Sequence, residues 1–433
     1  MRVLFVSSSP LKKEISIGNT FINLFDGMDD VELASIYTRS GTPDSEISQA
    51  FCLTEKMLIN NILKKTPMGK QIINEKITAE ESNKNTSVAP IEEDSKSVKF
   101  AKAKRWTLLF WAQDLIWKIG RWKKSKELTE FIKDFNPDIV FTVLSNSCYL
   151  NNLILHTVKV SGAPLVLYAW DNNYSMKQFM FSPLRWIKHF IDRKSMRKLA
   201  KKADLFYVIS EVQKQDYEKA FKKQCTVLTK GFDFDKPMPV YSQSNKPLQL
   251  VFTGNIGMNR WKSLSHIANV LERINENGIK AQLRIYTGNT LTDDMKKALI
   301  KGESSFVMGS VPSSQVEKIQ TDADFLIHVE AQDLKNKLLV RQSFSTKLVD
   351  YFAKAKPIVA YGPKDVASID HLIRNNCALV ADSEDELYEK LFDMIENKEL
   401  LDTLSTQAWK CGQVHHSKTK IHNMLTTDFK NII

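Results

Sequence analysis

The sequence predicts an α/β protein with two doubly wound, Rossmann-like domains that face each other across a cleft. The chain has 433 residues, which is more than one hydrophobic core usually serves, so two domains are expected. Short β-branched runs alternate with helical patterns on both sides of a polar stretch at 241–247, as in parallel sheets covered by helices. An apolar content of 43% and a charged content of 26% are typical of a globular protein.

The N-terminal domain, residues 1–240, begins with a β-α-β pattern, and Gly18 lies where its first loop becomes a helix. This glycine could ease a turn or let a ligand come close to the backbone. The later strands end in polar loops, which is where parallel sheets hold their ligands. The predicted elements are strands at 3–6, 32–37, 138–144, 165–168, 205–209 and 226–228, and a helix at 17–25.

Two polar stretches interrupt the alternation. Residues 78–97 are polar and aperiodic, which predicts a mobile insertion loop. Residues 241–247 are typical of a linker, and the second domain follows at 248–433. Its last helix is expected to pack back on the N-terminal domain. The predicted strands of this domain lie at 248–252, 282–286, 305–308, 325–328, 357–360 and 378–380, with a helix at 263–277.

The segment 343–360 carries the most information about function. Ser345 is a good N-cap for a helix over 346–354, and a proline ends that helix before a buried strand. The free N–H groups of such a helix start, together with Lys347, attract an anion. Asp350 follows one turn later, where its carboxylate can accept hydrogen bonds from vicinal hydroxyls. The segment therefore predicts a site for the phosphates and ribose of a nucleotide diphosphate.

Other signatures of function are absent from the sequence. There is no GxGxxG fingerprint and no Walker motif. The five cysteines are scattered and never in CxxC spacing, so neither a zinc site nor a disulfide framework is predicted, and a reducing cytoplasm fits best. No signal peptide or membrane-spanning run is evident. The paired aspartates at 293–294 and 322–324 lie at a helix start and ahead of a strand, so no metal is expected.

Five runs of residues follow one another in a specific order and spacing. They are Ala203-Asp-Leu-Phe-Tyr-Val-Ile-Ser-Glu211, Thr229-Lys-Gly-Phe-Asp233, Val307-Met-Gly-Ser-Val-Pro312, Ala323-Asp-Phe-Leu-Ile327 and Lys347 to Ala360. Together they resemble the GT-B fold glycosyltransferases, in particular glycosyltransferase family 4, over nearly the whole chain. The resemblance implies that the C-terminal domain binds a sugar nucleotide and that the N-terminal domain binds the acceptor.

The resemblance also implies roles for individual residues. Arg260 and Lys262 are expected at the pyrophosphate, and Asp350 at the ribose. Gln342 stands where the family usually has glutamate, so it can hydrogen-bond sugar hydroxyls but cannot supply a negative charge. The other candidates for binding the donor are Gly18, Gly254, Asn255, Ser310, Val311, Ser345, Thr346 and Lys347.

On the acceptor side, Trp170 and Asp171 lie where many members of the family carry His-Asp. Asp171 is expected to orient or deprotonate the acceptor hydroxyl, or simply to cap the helix that follows. The expected activity is sugar transfer from a nucleotide diphosphate to a glycan or lipid-linked acceptor in cell-surface polysaccharide synthesis, without a metal and with retention. Alternatives are a sugar-nucleotide epimerase of the same fold and a non-catalytic binding subunit of a glycan assembly complex.

The net charge of +11 implies an anionic partner. Residues 98–126 are predicted to form a basic, Trp-rich helix, and 184–202 a second basic helix. One apolar stripe of the first helix could dock on the core and leave the other for a membrane surface at the inner face of the cell membrane; alternatively all of these aromatics are core. Nucleic acid is not expected. The stripes are Leu108, Trp111, Leu115, Ile119 and Trp122, and Trp106, Phe110 and Trp117.

Overall fold

The computed structural model describes residues 1–13, 16–73, 107–241 and 246–433. The predicted insertion at 78–97, residues 98–106 and most of the predicted linker lie outside the described residues. In the part that is described, two sheets with parallel strands are each covered by helices. The predicted α/β class and two-sheet architecture are therefore confirmed.

The N-terminal sheet is built around a central strand that is buried on both faces, because helices cover the sheet from both sides. Its strands are β1 Arg2–Ser7, β2 Glu32–Tyr37, β3 Gln49–Cys52, β4 Lys70–Ile73, β5 Ile139–Val143, β6 Leu165–Ala169, β7 Leu205–Val208 and β8 Thr226–Val227. Their order is β4-β3-β2-β1-β5-β6-β7-β8. Only β4 runs antiparallel to its neighbour among these described strands. The sequence analysis did not predict β3 and β4.

Seven α-helices accompany this sheet in the described residues: α1 Ser16–Phe25, α2 Glu55–Lys64, α3 Thr107–Ile119, α4 Lys126–Phe135, α5 Cys148–Ser161, α6 Pro183–Lys202 and α7 Glu211–Phe221. The segment predicted as one helix to residue 126 ends at Ile119, and a 3-10 turn follows at Trp122–Lys124. Gly120 lies at the break, where a Cβ would approach the Ile116 carbonyl oxygen to 3.0 Å. The glycine therefore lets the chain turn close to the end of α3.

The C-terminal sheet is wholly parallel among its described strands and has the order β11-β10-β9-β12-β13-β14. Its strands are β9 Leu248–Thr253, β10 Ala281–Tyr286, β11 Ser305–Gly309, β12 Phe325–Val329, β13 Ile358–Tyr361 and β14 Leu379–Ala381. The helices of this half are α8 Arg260–Ile274, α9 Asp293–Leu299, α10 Ser313–Asp322, α11 Leu334–Val340, α12 Lys347–Ala353, α13 Ala367–Arg374, α14 Glu384–Glu396, α15 Lys398–His415 and α16 Lys418–Lys430.

The start of α12 differs from the prediction. Ser345 was expected to cap this helix, but the N-cap residue is Thr346, with helical backbone angles and no capping bond from its side chain. The backbone N–H of Ser345 instead donates to the Ser368 hydroxyl at 3.0 Å. The loop before α12 is thus held by the neighbouring helix α13, so a tertiary contact replaces the local cap.

Helix α16 leaves the C-terminal sheet and packs against α1 of the N-terminal domain. Phe429 is fully buried, and its ring lies 6.3 Å from that of Phe25 and 6.4 Å from that of Phe141. The Tyr207 hydroxyl donates to the Asp428 carboxylate at 2.7 Å. The two halves of the chain therefore share part of one hydrophobic core. Among the described helices, none combines the length and apolar content needed to span a bilayer.

Candidate active site

Two cationic side chains lie at the carboxyl ends of the central strands β9 and β12. The Lys347 ammonium donates to the Thr253 carbonyl oxygen at 3.0 Å. The Arg260 Nε and Nη2 atoms both lie 3.0 Å from Glu330 Oε2. One buried carboxylate thus faces two cations, and the excess positive charge suits an anionic ligand.

Gly254 is required for this arrangement. It follows β9 with a φ of +139°, a conformation that favours glycine. A Cβ built at this position would lie 1.7 Å from Lys347 Nζ. The glycine therefore leaves the space that the Lys347 ammonium occupies. This explains why position 254 needs a glycine, which the sequence alone did not show.

Burial sets the protonation of the groups around these cations. It raises the pKa of the Glu330 carboxyl, against the opposing effect of Arg260. It lowers the pKa of Lys347, and repulsion by Arg260 lowers it further. An anion bound here would raise the pKa of Lys347 again, against the effects of burial and of Arg260. A negatively charged ligand would therefore stabilise the charged form of this lysine.

Glu330 is a candidate site residue that the sequence analysis missed. It directly follows β12, and its side chain is only 4% exposed. The available signal was an acidic residue at the carboxyl end of a buried strand, the position where parallel sheets place functional groups. Next to it, burial lowers the pKa of His328 to about 3. The His328 Nε2 atom lies 3.7 Å from Glu330 Oε1 and finds no hydrogen-bond partner among the described residues.

Asp350 lies one turn into α12, as predicted, and pairs across the domains. Its carboxylate lies 2.7 Å from the ammonium of Lys230, in the loop after β8. The Asp350 side chain is 38% exposed, so its carboxylate is partly accessible to solvent. The structure thus joins the carboxylate expected at a ribose to a cation of the other domain.

Gln342 is fully buried and turned toward α7. Its amide nitrogen donates to Asp216, and its backbone oxygen accepts a hydrogen bond of 2.7 Å from Ser210. Arg341 forms an ion pair with the same aspartate. Gln342 Oε1 has no hydrogen-bond partner among the described residues. The side chain of Gln342 therefore contributes to the contact between domains. Its hydrogen bonds are made with Asp216 and not with Lys347.

Asp171 follows β6 and faces the segment before α12. Its Oδ1 accepts a hydrogen bond of 3.2 Å from the Ser343 hydroxyl. Gln213 and Tyr217 donate to its backbone oxygen at 3.1 and 3.3 Å. Desolvation raises the pKa of the Asp171 carboxyl, although the residue keeps exposed surface. A carboxylate with a raised pKa suits proton transfer.

The remaining donor candidates are placed as follows. Lys262 is exposed, with Nζ 5.6 Å from the centroid of the Trp261 ring, and the ion pair with Glu330 is made by Arg260 instead. The Asn255 side chain accepts from the backbone of Gly257 at 2.6 Å. A Cβ at Gly18 would lie 2.2 Å from the Lys12 carbonyl oxygen, so this glycine allows two backbone segments to pack. Ser310 and Val311 lie in the loop after β11, and Thr346 at the start of α12.

A second surface is formed by α3 and the first half of α6. Leu115 and Ile119 are 55% and 59% exposed, whereas Trp117 and Trp122 are buried. Neither predicted stripe docks as a unit, because each contributes one buried tryptophan, Trp117 or Trp122, while Leu115 and Ile119 of one stripe and Phe110 of the other (39% exposed) face outward. On α6 the usual arrangement is inverted: Lys188, His189 and Asp192 are buried, and the exposed apolar side chains are Leu184, Ile187, Phe190 and Ile191. Trp106 lies outside the described residues.

Comparison with known proteins supports the architecture. No family model and no curated protein matches the sequence. Among solved structures, HepE of Anabaena in complex with UDP matches with 12% identity, a TM-score of 0.63 and 100% coverage of both chains. Its complex with UDP-glucose matches with 12% identity, full coverage of both chains and a TM-score of 0.59. Sucrose-phosphate synthase of Thermosynechococcus elongatus matches with 9% identity, 99% and 98% coverage and a TM-score of 0.59. The predicted GT-B fold is confirmed.

Proposed function

We propose that the protein is a glycosyltransferase that moves a sugar from a nucleotide diphosphate to a glycan or lipid-linked acceptor. The observation that carries the proposal is the pair of cations Arg260 and Lys347 at the carboxyl ends of β9 and β12, oriented by Glu330 and Thr253. Such a pair suits the pyrophosphate of a donor. Asp350, exposed beside it on α12, suits the ribose hydroxyls.

The donor that we propose carries UDP. The solved structures of HepE contain UDP or UDP-glucose, and this chain matches them over its full length. The loop after β11, with Ser310 and Val311, would then bind the uracil. Gly254 and Asn255 would lie beside the phosphates, near the start of α12 formed by Ser345 and Thr346.

The proposed chemistry follows from the charges in the site. When the bond between the anomeric carbon and the diphosphate breaks, negative charge develops on the leaving phosphate. Arg260 and Lys347 would stabilise that charge, so we propose a metal-independent transfer, and retention of configuration in accordance with the resemblance. Asp171, which Ser343 orients, would accept or direct the proton of the acceptor hydroxyl. Lys262 would act from the edge of the site.

We further propose that the enzyme works at the inner face of the cell membrane, in cell-surface polysaccharide synthesis. The exposed apolar side chains of α3 and α6 support this proposal. The segments 107–124 and 183–202 contain twelve lysine or arginine residues and two acids, Asp114 and Asp192. Basic and apolar groups side by side favour an anionic membrane surface.

A second candidate is a non-catalytic, nucleotide-sugar-binding subunit of a glycan assembly complex. The bonding of Gln342 to Asp216 favours it, because this position carries no acid and is occupied by a contact between domains. Such a subunit would bind UDP with Arg260 and Lys347 but would not transfer the sugar.

The test is UDP-sugar turnover by the purified full-length chain, with and without acceptor glycans and with EDTA present. Replacing Lys347 by alanine should lower kcat/KM for donor consumption by about 100-fold or more, as removal of one preorganised donor group does elsewhere. Lys318→Ala, at a side chain that is 81% exposed, is the matched control. Unchanged turnover in Lys347→Ala would refute the proposal.

The other outcomes identify the alternatives. An altered sugar formed from the donor alone would indicate an epimerase. UDP binding that is lost in Lys347→Ala, without any turnover by the unmodified protein, would favour the binding subunit. Loss of activity in EDTA that added Mg²⁺ restores would contradict the metal-independent mechanism.

A further inference from the structure

A cavity of about 670 Å³ lies between α3, α5 and α6 and contains none of the candidate donor-site residues. Its walls are mostly apolar and include Trp111, Leu115, Ile119 and Ile191. This volume falls in the range of pockets that hold small organic ligands, which is roughly 300–1,000 Å³. The apolar walls favour a ligand that is itself largely apolar.

Ring stacking and hydrogen bonds hold the two buried tryptophans that line the cavity. The Trp117 ring stacks on Tyr149 with centroids 4.7 Å apart, and its indole N–H donates to Glu55 at 3.0 Å. The indole N–H of Trp122 donates to the Trp117 carbonyl oxygen at 2.7 Å. These bonds occupy the polar atoms of both indoles, so the rings present only apolar surface to the cavity.

The polar groups beside the cavity already satisfy one another. The Lys188 ammonium lies 3.1 Å from Asp114 and is also paired with Asp192. The Cys148 thiol donates to Asp192 at 3.2 Å, and burial raises the pKa of this thiol to about 12. The Lys188 ammonium already supplies a positive charge to both carboxylates. The cluster therefore does not need a metal ion to balance its charge. The feature of the cavity that indicates a ligand is its apolar wall.

The rim of the cavity is strongly basic. Lys118, Arg121, Lys123 and Lys124 line it, and all four residues are exposed. The two acids of the segments 107–124 and 183–202 are the partners of Lys188, so they do not neutralise the rim. Phosphate is the anion that such clusters of lysine and arginine bind well.

We propose that this cavity binds the hydrocarbon chain of an anionic lipid, with the lipid phosphate on the basic rim. The inference deepens the membrane contact proposed above and rests on it. Ile191 and Leu115 belong to the exposed apolar face of α6 and α3 and also line the cavity. The cavity therefore opens on the surface that would meet the bilayer, and a single lipid chain can enter it from there.

Dodecyl phosphate, used as a monomer below its micelle concentration, tests the proposal by isothermal titration and by the fluorescence of the cavity tryptophans. Binding is expected for dodecyl phosphate but not for inorganic phosphate, and dodecyl maltoside should bind at least about tenfold more weakly. Leu115→Asp, which places a charge in the wall, and Asn152→Trp, which fills the space from α5, should each weaken binding at least about tenfold. Both side chains are exposed, so the fold should survive.

Leu184→Asp is the matched control, since Leu184 is exposed on the same face but does not line the cavity. It should keep dodecyl phosphate binding while binding to phosphatidylglycerol vesicles falls. Equal binding in Leu115→Asp, Asn152→Trp and the unmodified protein would overturn the cavity proposal, as would binding of inorganic phosphate with equal affinity. If vesicles fail to bind but the dodecyl phosphate results hold, only the membrane contact is wrong.

Discussion

At the scale of single residues, the candidate donor site depends on the room that Gly254 leaves for the Lys347 ammonium. Lys347 was a candidate from the sequence because a lysine in the first turn of a helix attracts an anion, whereas Arg260 was a candidate only through the resemblance to GT-B glycosyltransferases. Glu330 could not be assigned a role, because its partner Arg260 is distant in sequence and only the fold brings them to 3.0 Å. The importance of Gly254 likewise appears only when the Lys347 ammonium is seen beside its Cα.

Gly254→Ala tests this requirement for space. The new Cβ would overlap Lys347 Nζ, so the ammonium must move, and UDP binding should weaken at least about tenfold. Strain at positive φ should also lower the free energy of unfolding by about 1–2 kcal/mol. Isothermal titration with UDP and urea unfolding measure the two effects.

Gly278→Ala provides the control for Gly254→Ala. Gly278 has a φ of +120°, and a Cβ there meets no described atom within 4 Å. It should therefore show a similar loss of stability with unchanged UDP affinity. Equal UDP affinity in Gly254→Ala and the unmodified protein would contradict the proposed position of Lys347 in the donor site.

His328 predicts a pH dependence of stability. Its pKa is lowered to about 3 in the folded protein, whereas the unfolded value is about 6.5. Between these values the unfolded state binds more protons, so this residue makes stability fall as the pH decreases from about 6.5, with a limiting slope of about 1.4 kcal/mol per pH unit. Glu330 has a raised pKa and contributes with the opposite sign.

The test measures the free energy of unfolding from pH 7.5 to 4.5 for the unmodified protein and for His328→Gln. Because Glu330 is present in both proteins, the difference between their curves reports the contribution of His328. The difference between the two proteins should shift in favour of His328→Gln as the pH falls. Parallel curves for the unmodified protein and His328→Gln would show that His328 titrates normally.

At the scale of elements, most strands were predictable because their β-branched runs are buried on both faces. Strand β3 was missed because its sequence, Gln-Ala-Phe-Cys, contains no β-branched residue, and β4 because three of its four residues are exposed. Periodicity also indicated two apolar stripes on α3, but not which side chain of each stripe is buried. The burial of Trp117 depends on its tertiary partners, Glu55 on α2 and Tyr149 on α5.

The inverted helix α6 carries a prediction about stability and binding. Ile187 and Phe190 are 50% and 56% exposed, so a double replacement by serine should change the free energy of unfolding by less than about 1 kcal/mol. Binding to phosphatidylglycerol vesicles, measured by co-sedimentation at low salt, should fall at least about tenfold. Zwitterionic phosphatidylcholine vesicles should bind weakly in either case.

Val414→Ser is the control for that experiment, because Val414 is 59% exposed and lies on α15 of the C-terminal half. It should leave vesicle binding unchanged. Vesicle binding that persists in the double variant of α6 would contradict the proposed membrane face.

At the scale of the whole molecule, contacts between the domains converge on the segment that also holds the donor candidates. Asp216 pairs with Arg341 and Gln342, Asp171 accepts from Ser343, and Lys230 pairs with Asp350. The sequence indicated two domains and a cleft, but these cross-domain partners could not be derived from it. Donor binding and domain closure are therefore expected to affect each other.

Asp216→Ala should loosen this contact. It leaves Arg341 and Gln342 without their shared acceptor, so backbone amides at 341–346 should exchange hydrogen about tenfold faster in the absence of UDP. Hydrogen exchange followed by mass spectrometry measures the change. Asp385→Ala, at a side chain that is 95% exposed in its ion pair with Arg273, should leave the segment unchanged; equal protection of the segment in Asp216→Ala would argue against coupling.

Helix α16 has a consequence for the order in which the protein can mature on the ribosome. Domains usually fold as units, N-terminal first, while the chain is still being made. Here Phe25 and Phe141 of the first domain are covered by Phe429, which is synthesised only after the entire second sheet. The first domain would leave the exit tunnel with part of its apolar surface uncovered. A nascent chain stalled before α16 should therefore be a better chaperone substrate than the released protein.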